Sequence, residues 1–342
     1  MSNLSEASKQ ALVNELKGNI FEFLVAQNLA VHFRCEEKFL LNLSDSTKIL
    51  IEDYHQSLSK IDNEVLLKIM LSLKAVIPII TDKIAHLFPQ KIVNIHWLGK
   101  ILARNDNAFW GEADIVLILE SDNDSIESAN HYVGISLKLC KKNSFINTKS
   151  AGLKSFFEKY FSVFESHLVD QEKFSKAVDR SFFQLGYMLY QKRDWTFPGY
   201  FCALWKNNES ELPGDLAPDD HEVLLNLYQD LNQLLYTQLI HYHNESAEKF
   251  LHVCRKLIGL SKMQEVMVLC EHEQHEILHT KVIEFDEIVK IKHAEIVKKP
   301  RVVEIFLDQI ILQLRIKPMN KFTTPSYKLN CSIKRRDSRE DK

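Results

Sequence analysis

We predict a mixed α/β protein with a mixed central sheet flanked by helices, a helical insertion and a C-terminal β-rich segment. Residues 6–32 space their apolar side chains along one stripe, which predicts a long amphipathic helix. The runs ADIVLIL (113–119) and YVGISLKL (132–139) are rich in Val, Ile and Leu and flank an acidic segment, which predicts two adjacent strands. Residues 305–336 predict two further strands around a turn at 318–325.

Helices and one more strand are predicted between the first helix and the Ser150 region. Residues 33–93 contain a mostly helical stretch, with an interruption expected at Pro78. The segment KIVNIHWLGK (91–100) has the composition of a strand. After the second Val-, Ile- and Leu-rich run we expect a polar loop that reaches Ser150 and then a helix.

In the second half of the chain, the sequence predicts helices on both sides of a polar segment. A helix is predicted within 174–205, and one or two helices within 221–260. The polar segment 207–220 contains two prolines and has the composition of a linker. The predicted organisation is therefore a core at 1–205, a linker and helical segment at 206–265, strands at 266–336 that complete or extend the core, and a tail at 337–342.

Composition limits the class of protein. The chain of 342 residues has a net charge of −3, which argues against a tight non-specific coat on DNA and leaves room for a local basic groove. Its six cysteines are scattered singly without a CxxC pair, as expected in a reducing cytoplasm and not for a disulfide framework or structural zinc. We find no signal peptide and no apolar run of about twenty residues, so we expect a cytoplasmic protein without membrane partners.

The predicted pair of strands brings an acid and an amine together. Asp114 opens the first strand, and Ser136 and Lys138 share one face of the second because residues two apart in a strand point the same way. A carboxylate and an ammonium would then lie at one end of a small sheet. The plainer interpretation is that Asp114 ends a strand and Lys138 is a solvated lysine beside Lys141 and Lys142.

This pattern resembles the PD-(D/E)xK nuclease superfamily, whose core pairs an Asp that opens one strand with an acidic-x-Lys triplet in the next. Here Asp114 follows Ala113 instead of Pro, and the triplet is Ser136-Leu137-Lys138. The resemblance implies a restriction-endonuclease-like fold and a nuclease that depends on Mg²⁺ or Mn²⁺. It assigns Asp114 and the carbonyl of Leu137 as metal ligands and places Lys138 beside the attacking water.

Ser136 departs from the superfamily pattern because serine supplies no metal-binding carboxylate. Some restriction enzymes of the superfamily also have Ser-x-Lys and take the missing acid from the following helix. Glu158, in LKSFFEKYF, is the candidate for that acid, and Glu112 is the nearer competitor. Glu22 resembles a glutamate of the superfamily's first helix that reaches the metal through water, although a solvated helix residue is an equally simple interpretation.

Basic and polar side chains after the triplet and in the C-terminal strands predict contacts with nucleic acid. Donors gathered before a helix N-terminus suit phosphate, and a plain N-cap with solvated lysines is the competing interpretation. Alternation places Arg315 and Lys317 on one face of a strand, which suits a nucleic-acid backbone or a solvated sheet edge. The candidate contacts are Lys141, Lys142, Thr148, Lys149, Ser150, Arg315, Lys317 and Lys321.

The function implied by the resemblance is hydrolysis of phosphodiester bonds in DNA, with RNA as the alternative substrate. The implied setting is bacterial or phage restriction or antiphage defence. Partners would be nucleic acid and either a second copy of the chain or a protein of a defence system.

Two other functions stay open. A subunit that keeps the nuclease fold but only binds or assembles would account for Ser136. A zinc hydrolase would use HEILH (275–279), with Glu295 or Glu304 as a third ligand. The surrounding residues alternate like strands, which would separate the two histidines by about 13 Å, so we interpret this match as accidental.

Overall fold

The protein has two compact units, each with its own sheet. The computed structural model describes residues 6–99, 113–120, 131–142, 144–259, 266–284, 291–308 and 310–336. Unit 1 comprises Met1–Ser144 and Leu260–Val289, and unit 2 comprises Phe145–Gly259 and Lys290–Lys342. The mixed α/β class is confirmed, but the described residues form two five-stranded sheets where one central sheet was predicted.

Helices and strands follow one another in runs along the chain. The helices are α1 (Glu6–His32), α2 (Glu36–Leu41), α3 (Asp45–Leu87), α4 (Phe156–Tyr160), α5 (His167–Gln191), α6 (Ala203–Asn208), α7 (Pro218–Glu245) and α8 (Ala247–Ile258). The strands are β1 (Ile92–Trp97), β2 (Ile115–Leu119), β3 (His131–Lys141), β4 (Ile146–Gly152), β5 (Val266–Glu273), β6 (Glu276–Glu284), β7 (Ala294–Lys299), β8 (Val302–Leu307), β9 (Ile310–Pro318) and β10 (Tyr327–Arg335). None of the helices in the described ranges combines the length and apolar character needed to cross a bilayer.

The sheet of unit 1 is mixed, in the order β1-β2-β3-β5-β6. Neighbouring strands are antiparallel except β3 and β5, which run parallel. A parallel neighbour requires a long connection between the two strands. Here that connection is the whole first segment of unit 2, so β5 and β6 return to complete the first sheet.

One face of this sheet packs against α1 and α3. Alternate residues of β2 and β3, such as Ile115, Leu117 and Ile135, join a single apolar core with both helices. Because side chains alternate across a strand, Ser136 and Lys138 lie on the opposite face of β3. The period-two pattern that builds the core therefore also sets the direction of the two candidate site residues.

The long helix α3 bends at a position that the sequence did not indicate. The predicted interruption at Pro78 is wrong, because α3 continues through it with Val76 and Ile80 fully buried against the core. The break lies at Asp62, whose φ of −161° and ψ of 93° are not helical. Its carboxylate accepts the N–H groups of Glu64 and Val65 at 3.1 and 3.3 Å, as an N-cap for the second half of the helix.

Unit 2 has an antiparallel sheet in the order β4-β10-β9-β8-β7. The predicted loop and N-cap around Ser150 are wrong, because 146–152 form β4 and pair with β10. The compact units also divide the chain near 144, 259 and 289, not at the predicted boundaries of 205 and 265, and the predicted linker 207–220 lies inside unit 2. The turn predicted between the last two strands is confirmed between β9 and β10.

Candidate active site

The site begins where β2 starts, beside the middle of β3. Ile115 is the register partner of Ile135, and the N–H of Asp114 donates to the carbonyl of the same Ile135 at 2.9 Å. Two consecutive residues therefore face one residue of β3, which is the arrangement of a β-bulge, and a bulge re-aims side chains at a strand end. The carbonyl of Asp114 accepts the N–H of Leu98 at 3.1 Å, so both of its backbone groups are fixed.

Three donors converge on one carboxylate oxygen of Asp114. The backbone N–H of Leu137 donates to Oδ2 at 2.6 Å, the hydroxyl of Ser136 at 3.2 Å and the ammonium of Lys138 at 3.4 Å. The sequence predicted that Asp114, Ser136 and Lys138 would lie together, and these contacts agree with it. The Leu137 amide was missed, because a main-chain donor has no signature in residue type and only the strand register indicates it.

The second oxygen of Asp114 stays available within the described residues, where no hydrogen bond to Oδ1 is formed. The N–H and C=O of one strand residue point to the same neighbouring strand. Since the Leu137 N–H reaches Asp114 beyond the start of β2, the Leu137 carbonyl points to the same side. A carboxylate oxygen and a carbonyl oxygen therefore lie at one edge, which are ligand types that Mg²⁺ accepts.

Burial distinguishes this ion pair from another one in the same unit. The side chains of Lys138 and Asp114 are 23% and 19% exposed, and Ser136 is only 1% exposed. Lys91 and Glu120 form a pair of almost the same length, 3.3 Å, with side chains 71% and 55% exposed. The side chains of Lys138 and Asp114 are thus largely shielded from water, whereas those of Lys91 and Glu120 lie on the open surface.

Glu22 is the predicted second carboxylate that lies in the described part of unit 1. Glu22 is half-buried on α1, next to Phe23, whose ring lies 5.5 Å from that of Trp97. Trp97 is the register partner of Ile115, so this turn of α1 lies at the same end of the sheet as Asp114. Within the described ranges, no group of three or more His, Cys, Asp or Glu side chains is arranged to hold a metal.

The two other predicted acids lie outside the described part of unit 1. Glu158 is exposed on α4, which belongs to unit 2, whereas Asp114 and Lys138 belong to unit 1. Glu112 lies outside the described residues. The donor set in unit 1 therefore fits Mg²⁺ with one carboxylate and one carbonyl, and leaves the other positions to water and substrate phosphate.

No protein-family model, no curated protein and no solved structure matches this chain.

The HEILH segment does not have the geometry of a zinc protease. His275 lies in the turn between β5 and β6, and His279 lies within β6, so the two histidines do not share a helix face. The prediction of strands here is confirmed. Glu295 and Glu304 lie in β7 and β8 of unit 2, and the carboxylate of Glu304 is bound by Lys299 at 2.5 Å.

The predicted nucleic-acid contacts after β3 separate into exposed and buried residues. Lys141 and Lys142 are exposed at the end of β3 in unit 1. Thr148 is buried, and its hydroxyl donates to the carbonyls of Leu257 and Cys331 at 2.7 and 3.3 Å. These hydrogen bonds give Thr148 a structural role in the fold. Ser150 is exposed on β4, where it donates to the side chain of Asn330, and Lys149 is half-buried between them.

The C-terminal cations form a group in unit 2. Arg315 and Lys317 line a pocket of about 270 Å³ together with Arg301 and Tyr228. Burial lowers the pKa of Lys317, and the neighbouring cation Arg315 lowers it further. A bound anion would stabilise a group of cations that disfavour one another's charge. Lys321 differs, because its ammonium is bound to the carboxylate of Glu211.

Proposed function

We propose that this protein is a metal-dependent nuclease of the restriction-endonuclease-like type, with its active site at Asp114 and Lys138. The observation that carries the proposal is the convergence of the Leu137 amide, the Ser136 hydroxyl and the Lys138 ammonium on one oxygen of Asp114. Asp114 opens β2 and the triplet lies in the adjacent antiparallel strand β3, as the PD-(D/E)xK resemblance requires.

Each residue has a defined part in this proposal. The Leu137 amide and the Ser136 hydroxyl fix Oδ2 of Asp114, which leaves Oδ1 and the Leu137 carbonyl to hold Mg²⁺ or Mn²⁺. The bound ion would polarise the phosphate and make a nucleophilic water available at neutral pH. Lys138, at 3.4 Å from the carboxylate, orients that water and offsets the negative charge that develops on the phosphate.

DNA is the proposed substrate, with RNA as the alternative. Lys141 and Lys142 extend from the same strand as Lys138, three and four residues further on, and are exposed to bind a phosphate backbone. Arg315 and Lys317 of unit 2 are further proposed contacts. Restriction or antiphage defence in a bacterium or phage is the proposed setting, and it rests on the resemblance alone.

The test is cleavage of plasmid DNA in the presence of Mg²⁺, with EDTA and an RNA transcript as parallel reactions. Asp114→Ala and Lys138→Ala should abolish cleavage while circular dichroism and the urea midpoint show that the fold is kept. Lys91→Ala is the matched control, because it removes a lysine from an ion pair of similar length in the same unit. Equal cleavage by Lys138→Ala and Lys91→Ala would refute the proposed site.

A second candidate function is a subunit that binds nucleic acid without cutting it. The observation that favours it is Ser136, which occupies the position of an acid and donates a hydrogen bond to Asp114 where a metal ligand would be expected. Such a subunit would bind DNA equally well with Mg²⁺ and with EDTA and would show no cleavage. Binding that falls in Lys141→Ala but is unchanged in Asp114→Ala would support this function over the nuclease.

A further inference from the structure

A second polar site lies in unit 1, where the parallel strands β3 and β5 both end. A pocket of about 400 Å³ opens there, which is within the usual size range for small-ligand sites. Carboxyl ends of parallel strands are a common place for ligands in α/β sheets. The pocket is lined by Gln10, Asn14, Lys141, Lys142, His272, Glu273, Gln274 and His275.

A buried lysine lies behind the wall of this pocket. Lys17 is only 4% exposed, and its ammonium is 2.9 Å from Nε2 of His272. Among the described residues no carboxylate pairs with it. The nearby thiol of Cys140 is no counter-ion, because burial raises its pKa to about 12. A buried cation without an anion is costly, so an anion bound at this pocket wall would stabilise the charged form of Lys17.

The contact with Lys17 fixes the protonation of His272. An ammonium has donors only, so Nε2 must be the acceptor and the ring proton must be on Nδ1. Burial, followed by the charge of Lys17, lowers the pKa of His272 to about 4, which agrees with a neutral ring. That Nδ1 is buried and has no partner among the described residues, although a buried donor normally has one.

His275 extends this set of donors. Its ring stacks on that of His272, with centroids 5.9 Å apart and planes at 14°, and its own Nδ1 is also buried without a described partner. Gln274 and His275 both have positive φ, 47° and 70°, in the two-residue turn that joins β5 to β6. Left-handed backbone at two consecutive residues without glycine is costly, and such strain is often kept at binding sites.

The charges around the pocket favour an anion over a metal ion. Lys17, Lys141 and Lys142 contribute cations, and Glu273 is a carboxylate whose nearest described cation is Lys142 at 4.0 Å. On the α3 side, Asp62 and Lys68 are close enough to His275 to affect its charge. Asp62 is used as a helix cap, and Lys68 pairs with Glu64 at 2.7 Å.

We propose that this pocket binds the tetrahedral oxyanion of a phosphate monoester, with His272 and Lys141 as contacts and Lys17 as the positioning residue that sets the tautomer of His272. Gln10, Asn14 and Lys142 supply further donors at the rim. The free ligand would be inorganic phosphate or a nucleotide, and the macromolecular source of the same chemistry would be a 5′-phosphorylated nucleic-acid end. Binding of phosphate in this pocket does not depend on cleavage at Asp114.

The first experiment measures binding of inorganic phosphate by calorimetry and by the thermal midpoint over 0.1 to about 20 mM, a range in which a millimolar site raises the midpoint. Lys17→Met should weaken binding by about tenfold or more, since it no longer holds the ring proton of His272 on Nδ1, and one hydrogen bond to a charged ligand contributes that much. Methionine suits a buried position, so this variant should fold. Lys48→Met, which removes a surface lysine paired with Asp45, is the matched control and should bind like the wild type.

A second readout separates positioning from mere structure. Nitrogen-15 spectra should show His272 with its proton on Nδ1 in the wild type, and this preference should be lost in Lys17→Met. Sulfate keeps its charge between pH 6 and 9, so its affinity should fall above pH 8, because burial lowers the pKa of Lys17 to about 8. No binding of phosphate at 20 mM, or equal affinity in Lys17→Met and Lys48→Met, would overturn the proposal.

Two further arms identify the source of the phosphate. A 5′-phosphorylated oligonucleotide that binds at least tenfold tighter than its 5′-hydroxyl counterpart, with the difference lost in Lys17→Met, would establish a nucleic-acid end as the ligand. Equal binding of both oligonucleotides together with millimolar phosphate binding would establish a small-molecule site. Asp114→Ala should bind phosphate like the wild type, so a failed nuclease proposal and a failed phosphate site give different results.

Discussion

Replacing Lys138 by methionine should cost little stability and nearly all activity. The ammonium is 3.4 Å from Oδ2 of Asp114, longer than the roughly 2.7–2.9 Å of a strong charge-assisted bond. Leu137 at 2.6 Å and Ser136 at 3.2 Å still hold that oxygen after the replacement. The unfolding free energy should therefore fall by about 1 kcal/mol, the usual net contribution of one hydrogen bond. Cleavage should fall by about 10²–10³, as when one charge-stabilising donor is removed from an active site.

Urea unfolding and cleavage assays on a double-mutant cycle test this expectation. Lys138→Met, Asp114→Asn and the double variant should give a coupling free energy of about 1 kcal/mol or less. A loss of about 3 kcal/mol or more in Lys138→Met alone would class the pair as a buried structural ion pair. The ammonium would then be held by Asp114 and unavailable to a substrate, which would refute a catalytic role for Lys138.

Three further changes test the site and the packing around it. Ser136→Asp places a second carboxylate beside the first, so it should destabilise the protein by about 1–3 kcal/mol in EDTA, and Mg²⁺ should restore the urea midpoint. Gly186→Ala would place a Cβ 2.2 Å from the ring of Phe197 and should cost about 1–3 kcal/mol in urea unfolding, whereas Gly18→Ala meets nothing within 4 Å and should be neutral or stabilising. Lys17 has a folded-state pKa of about 8, below its unfolded value, so the wild type should gain about 3 kcal/mol of stability relative to Lys17→Met between pH 8 and pH 10.5.

The hairpin at the centre of the site could be predicted because its signal is local. Alternation in β2 and β3 sets which residues face the core, and the same alternation places Ser136 and Lys138 together. The exact aim of Asp114 could not be predicted. It depends on a bulge opposite Ile135, and a bulge is set by how two strands meet and not by the residues of one strand.

The second sheet was missed because its first strand looks polar. In β4 the buried Thr148 satisfies its hydroxyl on the carbonyls of Leu257 and Cys331, so a polar residue serves as a core residue. Ser150 bonds to Asn330, which lies 180 positions away along the chain. The polar side chains of β4 form their hydrogen bonds with residues far away along the chain. The sequence of the strand alone does not indicate these partners.

The proposed phosphate pocket could not be predicted for the same reason, because its residues are distant along the chain. Lys17 lies in a helix that the sequence predicts to be amphipathic, where a lysine ordinarily indicates the solvated face, yet α1 packs against both β1 and α3 and buries that position. Its acceptor, His272, is 255 positions away and lies in a strand that returns after the whole first segment of unit 2. Apolar side chains at both positions would be expected to stabilise the fold more than this cation and neutral imidazole do. The pair of Lys17 and His272 nevertheless lies next to an open pocket and two exposed lysines. An anionic ligand that interacts with the positive charge of Lys17 would explain this arrangement.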